Sequence, residues 1–162
     1  MPAPLSIIIP MSRTDAIGLG PTLGALSEGV FDGIVREVIL AAPARDEKLS
    51  EIAEETGARL TVQAGPVAKR MHAAEQIALG DWTLSLSPGT ILPPGWPVAA
   101  RAHIQHSPGM RAAFRLSGYG GFRASMATRV FGAPALSQGV LSPASGPVAR
   151  TVVLLRSSVT VV

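Results

Sequence analysis

Apolar residues fall along this chain in short runs that alternate with stretches of helical spacing. Residues 5–9, Leu-Ser-Ile-Ile-Ile, form a β-branched run stopped by Pro10, the pattern of a strand buried on both faces. Leu19, Leu23, Leu26 and Val30 then recur at helical intervals, which predicts an amphipathic helix opening near Pro21. Residues 34–41 read as a second strand and residues 59–62 as a third. Between them, 46–56 is the clearest helix: acids in its first turn suit the helix dipole, Leu49, Ile52, Ala53 and Thr56 share a face, and Gly57 ends it. A third helix spans about 66–79 with Met71, Ala74 and Ala78 inward, and Gly80 suits a left-handed cap at its end. Residues 82–86 form a fourth strand, Ser87-Pro88-Gly89 continues neither element, and Pro94 stands where a new helix opens.

This alternation predicts an α/β domain with a mostly parallel sheet, right-handed crossovers and strand order 3-2-1-4. The loops after Ile9, Ala41 and Leu86 then share one edge, where ligands collect in open α/β sheets. Further on, 133–135 and 142–147 read as loops. The β-prone runs 151–155 and 159–162 either complete the sheet or dock on a partner chain, giving a possible homo-oligomer or protein partner.

Composition narrows this little. A chain of 162 residues that is 47% hydrophobic supports one domain with a real core. The boundaries expected are 1–142 for the main domain and 143–162 for a β-prone tail within it. Without cysteine there is neither a disulfide framework nor a thiolate metal site. The start lacks the features of a secretory leader and no apolar run has the length of a membrane helix, so the expectation is a soluble cytoplasmic protein with no membrane span.

Charge changes the picture more. All 11 carboxylate side chains lie at or before Asp81. The first 81 residues carry seven basic side chains against those 11, a formal −4, and the remainder carries seven arginines and no acid. A carboxylate base or hard-metal ligand therefore cannot come from anything after the central strand. The arginines are irregularly spaced and have no lysine cluster beside them, which argues against nucleic acid.

Isolated candidates read blandly. Gly18, Gly20 and Gly24 are too far from the first strand for a dinucleotide fingerprint, and the second strand ends in Ala41-Ala42 where that motif needs an acid. His72 is either a base near the ligand edge or a surface residue. His103 and His106 share a helix face but lack an acidic second shell for zinc. Asp81 caps or solvates its turn, and Asp15, the one acid in the first loop, is either a ligand contact or a turn residue.

Gly80-Asp81-Trp82, an apolar strand, a polar loop ending in Thr90 and then Leu92-Pro93-Pro94-Gly95-Trp96 together resemble the central segment of family-2 glycosyltransferases. The resemblance implies their GT-A fold, a Rossmann-like mostly parallel sheet flanked by helices that binds nucleotide sugars. It covers about 5–142. Residues 5–10 are similar to the family's opening strand, after which Met11, Ser12 and Arg13 take the place of its nucleotide-contacting residues. In the third helix Val67, Arg70 and His72 stand where the family often has Arg, Gln and Asn. Leu136-Ser137-Gln138-Gly139 looks like the Gly-Asp-Gln-Gly segment of one bacterial branch.

The departures all concern carboxylates. The family's loop carries an acid that holds Mg²⁺ or Mn²⁺ against the diphosphate, and here that loop is Ser87, Pro88 and Gly89. The Asp that ends the family's second strand is replaced by Ala42, followed by Pro43, Ala44 and Arg45, and Ser137 replaces a third acid. The family's later segment, which carries the catalytic base, has no recognisable copy in 142–162, so the chain reads as divergent and C-terminally shortened. The resemblance thus implies a nucleotide-sugar cleft formed by Pro10, Ser12, Arg13, Asp15, Ala42, Arg70, Ser87, Gly89 and Gln138, with no catalytic residue and no metal ligand assigned. Arg13, Arg45 and Arg70 are the cations available to replace a metal at the diphosphate. Two readings follow: a glycosyltransferase-like protein that is weakly active or a pseudoenzyme, and a non-enzymatic binding module using the same cleft or the C-terminal strands.

Overall fold

Strand β1 (Leu5–Pro10) is the axis of the sheet, and all six of its residues are buried. The computed structural model describes residues 3–12, 16–116, 139–145 and 152–161. β1 runs parallel to β2 (Val35–Ala42) on one side and to β4 (Trp82–Ser85) on the other, and β3 (Arg59–Val62) lies parallel to β2. The crossovers are α1 (Ala16–Phe31), α2 (Glu47–Thr56) and α3 (Val67–Ile77). The order β3-β2-β1-β4 is the expected one. Pro10 pairs with Ala41 and Ile8 with Ser85, so the carboxyl ends of the three central strands share an edge.

The rest of the chain extends this sheet. β5 (Thr90–Ile91), α4 (Trp96–His106), β6 (Arg111–Leu116), β7 (Val140–Pro143) and β8 (Val152–Val161) follow, giving the order β3-β2-β1-β4-β7-β6-β8-β5 among the described residues. β7 is antiparallel to both β4 and β6, while β8 is parallel to β6 and antiparallel to β5. The apolar runs expected near 151–155 and 159–162 fall in one strand, β8, inside the sheet.

Alternation along β1 divides the core into two layers. Leu5, Ile7 and Ile9 join the larger cluster with Leu26 of α1, Leu49 of α2 and Trp96 of α4. Ile8 faces the other way, with Ile39 and Ala41 under Met71 and Ala74 of α3.

Tertiary contacts override three local readings. α1 begins at Ala16 and contains Pro21, because the turn ahead of the proline is held against residues 88–89. Its inward positions are Leu19, Thr22, Leu26 and Gly29, whereas Val30 is 56% exposed. Gly29 is required there: a Cβ would lie 2.3 Å from the Trp96 ring. Gly80 is not a left-handed cap; α3 ends at Ala78, and a Cβ at Gly80 would lie 2.6 Å from the Pro4 carbonyl. α4 opens at Trp96 behind a left-handed Gly95, with Pro97 rather than Pro94 in its first turn.

The amino edge is tied by one carboxylate. Glu37, whose side chain is 8% exposed, accepts hydrogen bonds from Ser6 Oγ at 2.8 Å, the Leu79 amide at 2.6 Å and Arg59 Nη1 at 2.5 Å. Ser6 Oγ accepts in turn from the Gly80 amide at 2.9 Å, and Arg59 Nη1 also donates to the Ile77 carbonyl. Burial pushes the Glu37 carboxyl up, but the bonds from Leu79, Arg59 and Ser6, with the Arg59 charge, outweigh it and hold it below its ordinary value.

Two predictions follow from these contacts. Gly29→Ala forces a methyl into the Trp96 ring and lowers unfolding free energy by about 1–3 kcal/mol. Gly24→Ala, in the same helix and with nothing within 4 Å of the added carbon, raises it by roughly 0.5–1 kcal/mol. Urea titration of both variants checks this, and equal losses would overturn the contact. The lowered carboxyl of Glu37 binds its proton less readily folded than unfolded, so its stabilisation is complete above the unfolded value and lost as pH falls through the folded one. Glu37→Gln therefore costs about 1–3 kcal/mol at pH 7 and flattens the loss of stability below roughly pH 4.5. Parallel acid limbs for variant and parent would refute the assignment.

Candidate functional site

Two groups of residues flank the carboxyl end of β1. On the β2 side, the Met11 amide donates to the Ala41 carbonyl at 2.9 Å, extending the ladder one residue past Pro10. The Met11 carbonyl then accepts from Arg70 Nη2 at 3.3 Å, and Arg70 Nη1 donates to the Gly65 carbonyl at 2.6 Å. Arg70 is 7% exposed, no carboxylate pairs with it among the described residues, and its buried Nε has no partner. It lies in the first turn of α3, whose N-cap, Pro66, supplies no capping side chain. A buried guanidinium that, among the described residues, is held by two carbonyls alone, beside uncapped helix amides, makes this corner electropositive and suited to an anion.

On the β4 side, the Leu86 amide donates to the Ile8 carbonyl at 3.0 Å and fixes the following loop beside β1. Ser87 and Pro88 are half-buried, and the Thr90 amide closes a turn onto the Ser87 carbonyl at 3.1 Å. Gly89 is buried with φ of 85°, and its amide donates to both the Gly18 carbonyl at 3.0 Å and Thr22 Oγ1 at 2.9 Å. A side chain at Gly18 would be tight here, since its Cβ would sit 3.0 Å from the Gly89 nitrogen. Thr90 Oγ1 is buried without a partner.

The expected cleft residues therefore separate. Pro10, Arg70, Ser87 and Gly89 border the end of β1, and Ser12 is exposed just beyond it. Ala42 lies at the end of β2, but its side chain packs in the larger core cluster. Arg45 is not with Arg70: it lines a groove between α2 and β3. Arg13, Asp15, Ser137 and Gln138 lie outside the described residues. His72 is exposed with Glu75 Oε2 3.9 Å away, and His103 and His106 donate to the carbonyls of Met110 and Ala102 respectively. Thr22 was missed as a site residue, although a polar residue between Leu19 and Leu26 on the inward helix face was the available signal.

The donor set at the loop does not suit the divalent cation that the resemblance implies. Ser87 supplies a hydroxyl, Gly89 has its amide engaged, and hard cations are held mainly by carboxylates. Among the described residues no three His, Cys, Asp or Glu side chains converge as a metal site.

Comparison with known proteins gives a fold. No family model matches the chain, and no curated protein matches it either. Among solved structures, glucosyl-3-phosphoglycerate synthase from Mycobacterium tuberculosis in complex with phosphoglyceric acid superposes with a TM-score of 0.63 at 17% identity, over 86% of this chain and 56% of that one. The same enzyme with Mn²⁺ and uridine-diphosphate-glucose gives 0.67 at 13% identity, over 97% and 69%. Mannosyl-3-phosphoglycerate synthase from Rubrobacter xylanophilus gives 0.61 at 15%, over 86% and 53%. The chain thus has the GT-A glycosyltransferase fold and spans little more than half the length of the first of these structures. Among the described residues no helix is long and apolar enough to cross a membrane.

Acid placed in the loop tests its correspondence to a metal position. Gly89→Asp raises Mn²⁺ affinity but, at φ of 85°, lowers stability. The left-handed backbone costs an Asp about 1 kcal/mol. Ser87→Asp raises Mn²⁺ affinity with stability changed by less than about 0.5 kcal/mol. Equilibrium dialysis and thermal unfolding measure both, and unchanged Mn²⁺ affinity in both variants would refute the correspondence.

Proposed function

We propose that this chain binds the diphosphate portion of a nucleotide sugar at the carboxyl edge of β1, through Arg70 and the first amides of α3, without a carboxylate-held metal. Sugar transfer is on this reading weak or absent, and the protein acts chiefly as a nucleotide-sugar-binding member of its fold. The observation that carries the reading is Arg70: a guanidinium 7% exposed, with no carboxylate partner among the described residues and Nε unpaired, at the strand end where this fold places ligands. Leaving such a charge buried and half satisfied is costly, and a phosphate oxygen would complete it.

Its neighbours lend support. One M. tuberculosis structure holds Mn²⁺ with uridine-diphosphate-glucose and another holds uridine-diphosphate. Transfer requires two things of the protein: stabilisation of the leaving diphosphate and removal of the acceptor proton. Arg70 answers part of the first. For the second, no Asp or Glu exists after Asp81, so a carboxylate base would have to come from the first half of the chain.

Calorimetric titration with a panel of nucleotide sugars, UDP-glucose first, tests this. Binding is expected, with Mn²⁺ changing the dissociation constant by less than about threefold and Arg70→Gln weakening it by about tenfold or more. No binding by any member of the panel would favour the plain interaction module. Tightening by Mn²⁺ of more than about tenfold, or sustained glucose transfer, would overturn the metal-free reading.

A further inference from the structure

Among the described residues β3 ends the sheet, pairing with β2 alone. The Gln63 amide donates to the Ala42 carbonyl at 3.0 Å, so by the alternation of a parallel ladder the amides and carbonyls of Leu60 and Val62 point to the open side. Apart from its shortness, four residues, the strand carries none of the usual guards of an edge: it has no proline, lysine or bulge. Its one charge is drawn off, since Arg59 turns back to Glu37 and the Ile77 carbonyl. Leu60 and Val62 share one face and, with Ala53 and Ala58, form the apolar part of a groove along this edge that Arg45, Ser50 and Glu54 also line. Val62 is 46% exposed.

The ends of that groove carry opposite charges. Val62 pairs with Ala42 at the end of β2, and Arg45 follows closely on Ala42, so Arg45 marks the Val62 end. α2 returns antiparallel to the strands, which puts Glu54 at the Leu60 end. A two-fold rotation through Thr61 superposes each end on the other.

We infer that the open edge of β3 and its groove form an interface with a second copy of this chain, the two β3 strands running antiparallel about a two-fold axis at Thr61. In this register Leu60 of each copy exchanges both backbone hydrogen bonds with the other copy's Val62, and the same two side chains become apolar cross-strand neighbours. Arg45 of each copy meets Glu54 of the other. Such an interface is isologous and closes after two chains, so it caps the edge instead of propagating it. It lies away from β8, which pairs with β6 along most of its length and with β5 at Thr160 and Val161.

Sedimentation equilibrium of the full chain, with charge reversals, tests this. The parent is expected to dimerise reversibly, more weakly as salt rises. Arg45→Glu and Glu54→Arg each weaken the dimer by about tenfold or more, because each leaves two like pairs at the interface. The double reversal restores opposite pairs and returns the dissociation constant to within about threefold of the parent. Circular dichroism confirms folding, as both side chains are exposed. A monomer at the highest soluble concentration, a dimer indifferent to both single reversals, or a double variant no stronger than the singles would each overturn the interface.

Discussion

Glu37 holds together the amino end of the parallel strands. One carboxylate on β2 receives β1 through Ser6, β3 through Arg59 and the turn before β4 through Leu79, so the amino ends of all four parallel strands are set by a single buried acid. At the opposite edge the chain breaks into loops, and Arg70 Nε and Thr90 Oγ1 lie there buried without a partner among the described residues. Division of labour between two ends is common in α/β sheets: rigidity is concentrated at one, and variable chemistry is placed at the other.

The strands and their order were legible because β-branched runs bounded by Pro, Gly and Ala leave little choice of element, and because strand-helix alternation restricts topology. The Glu37 tie was not. Ser6, Glu37, Arg59 and Leu79 lie far apart in sequence, and no local pattern distinguishes a buried acid from a solvated one. The same limit explains Gly80 and Gly29. A glycine demanded by its own backbone conformation leaves a local signature, as at Gly57, whereas one demanded by a neighbour's bulk leaves none. At the candidate site, that Ala42, Ser87, Pro88 and Gly89 carry no carboxylate is plain from residue types alone. The burial of Arg70 and the separation of Arg45 from it needed coordinates, since both depend on how helices sit against the sheet.

The chemistry of the ligand edge is thus divided between what the fold retains and what its residues supply. A parallel sheet with an open carboxyl edge, an uncapped helix start and a buried guanidinium are general provisions for an anion. They do not specify a reaction. At that edge Ser87 and Gly89 contribute one hydroxyl between them, and the Ala42 side chain is turned into the core. The electrostatic asymmetry of the chain works in the same direction, because the half that builds β5 to β8 has only positive charge to offer.

β5 adds a dependence in time. This two-residue strand carries the loop of Ser87 to Gly89 into the sheet, yet its only strand partner among the described residues is β8, through Thr160 and Val161 about seventy residues later. During synthesis the first four strands can therefore pair while that loop is held from the first half of the chain, by α1 and, through Leu86, by β1. Its strand contact forms last, together with the part of the core that Phe114, Leu141 and Leu155 supply, so a chain halted between β5 and β8 would carry both unfinished.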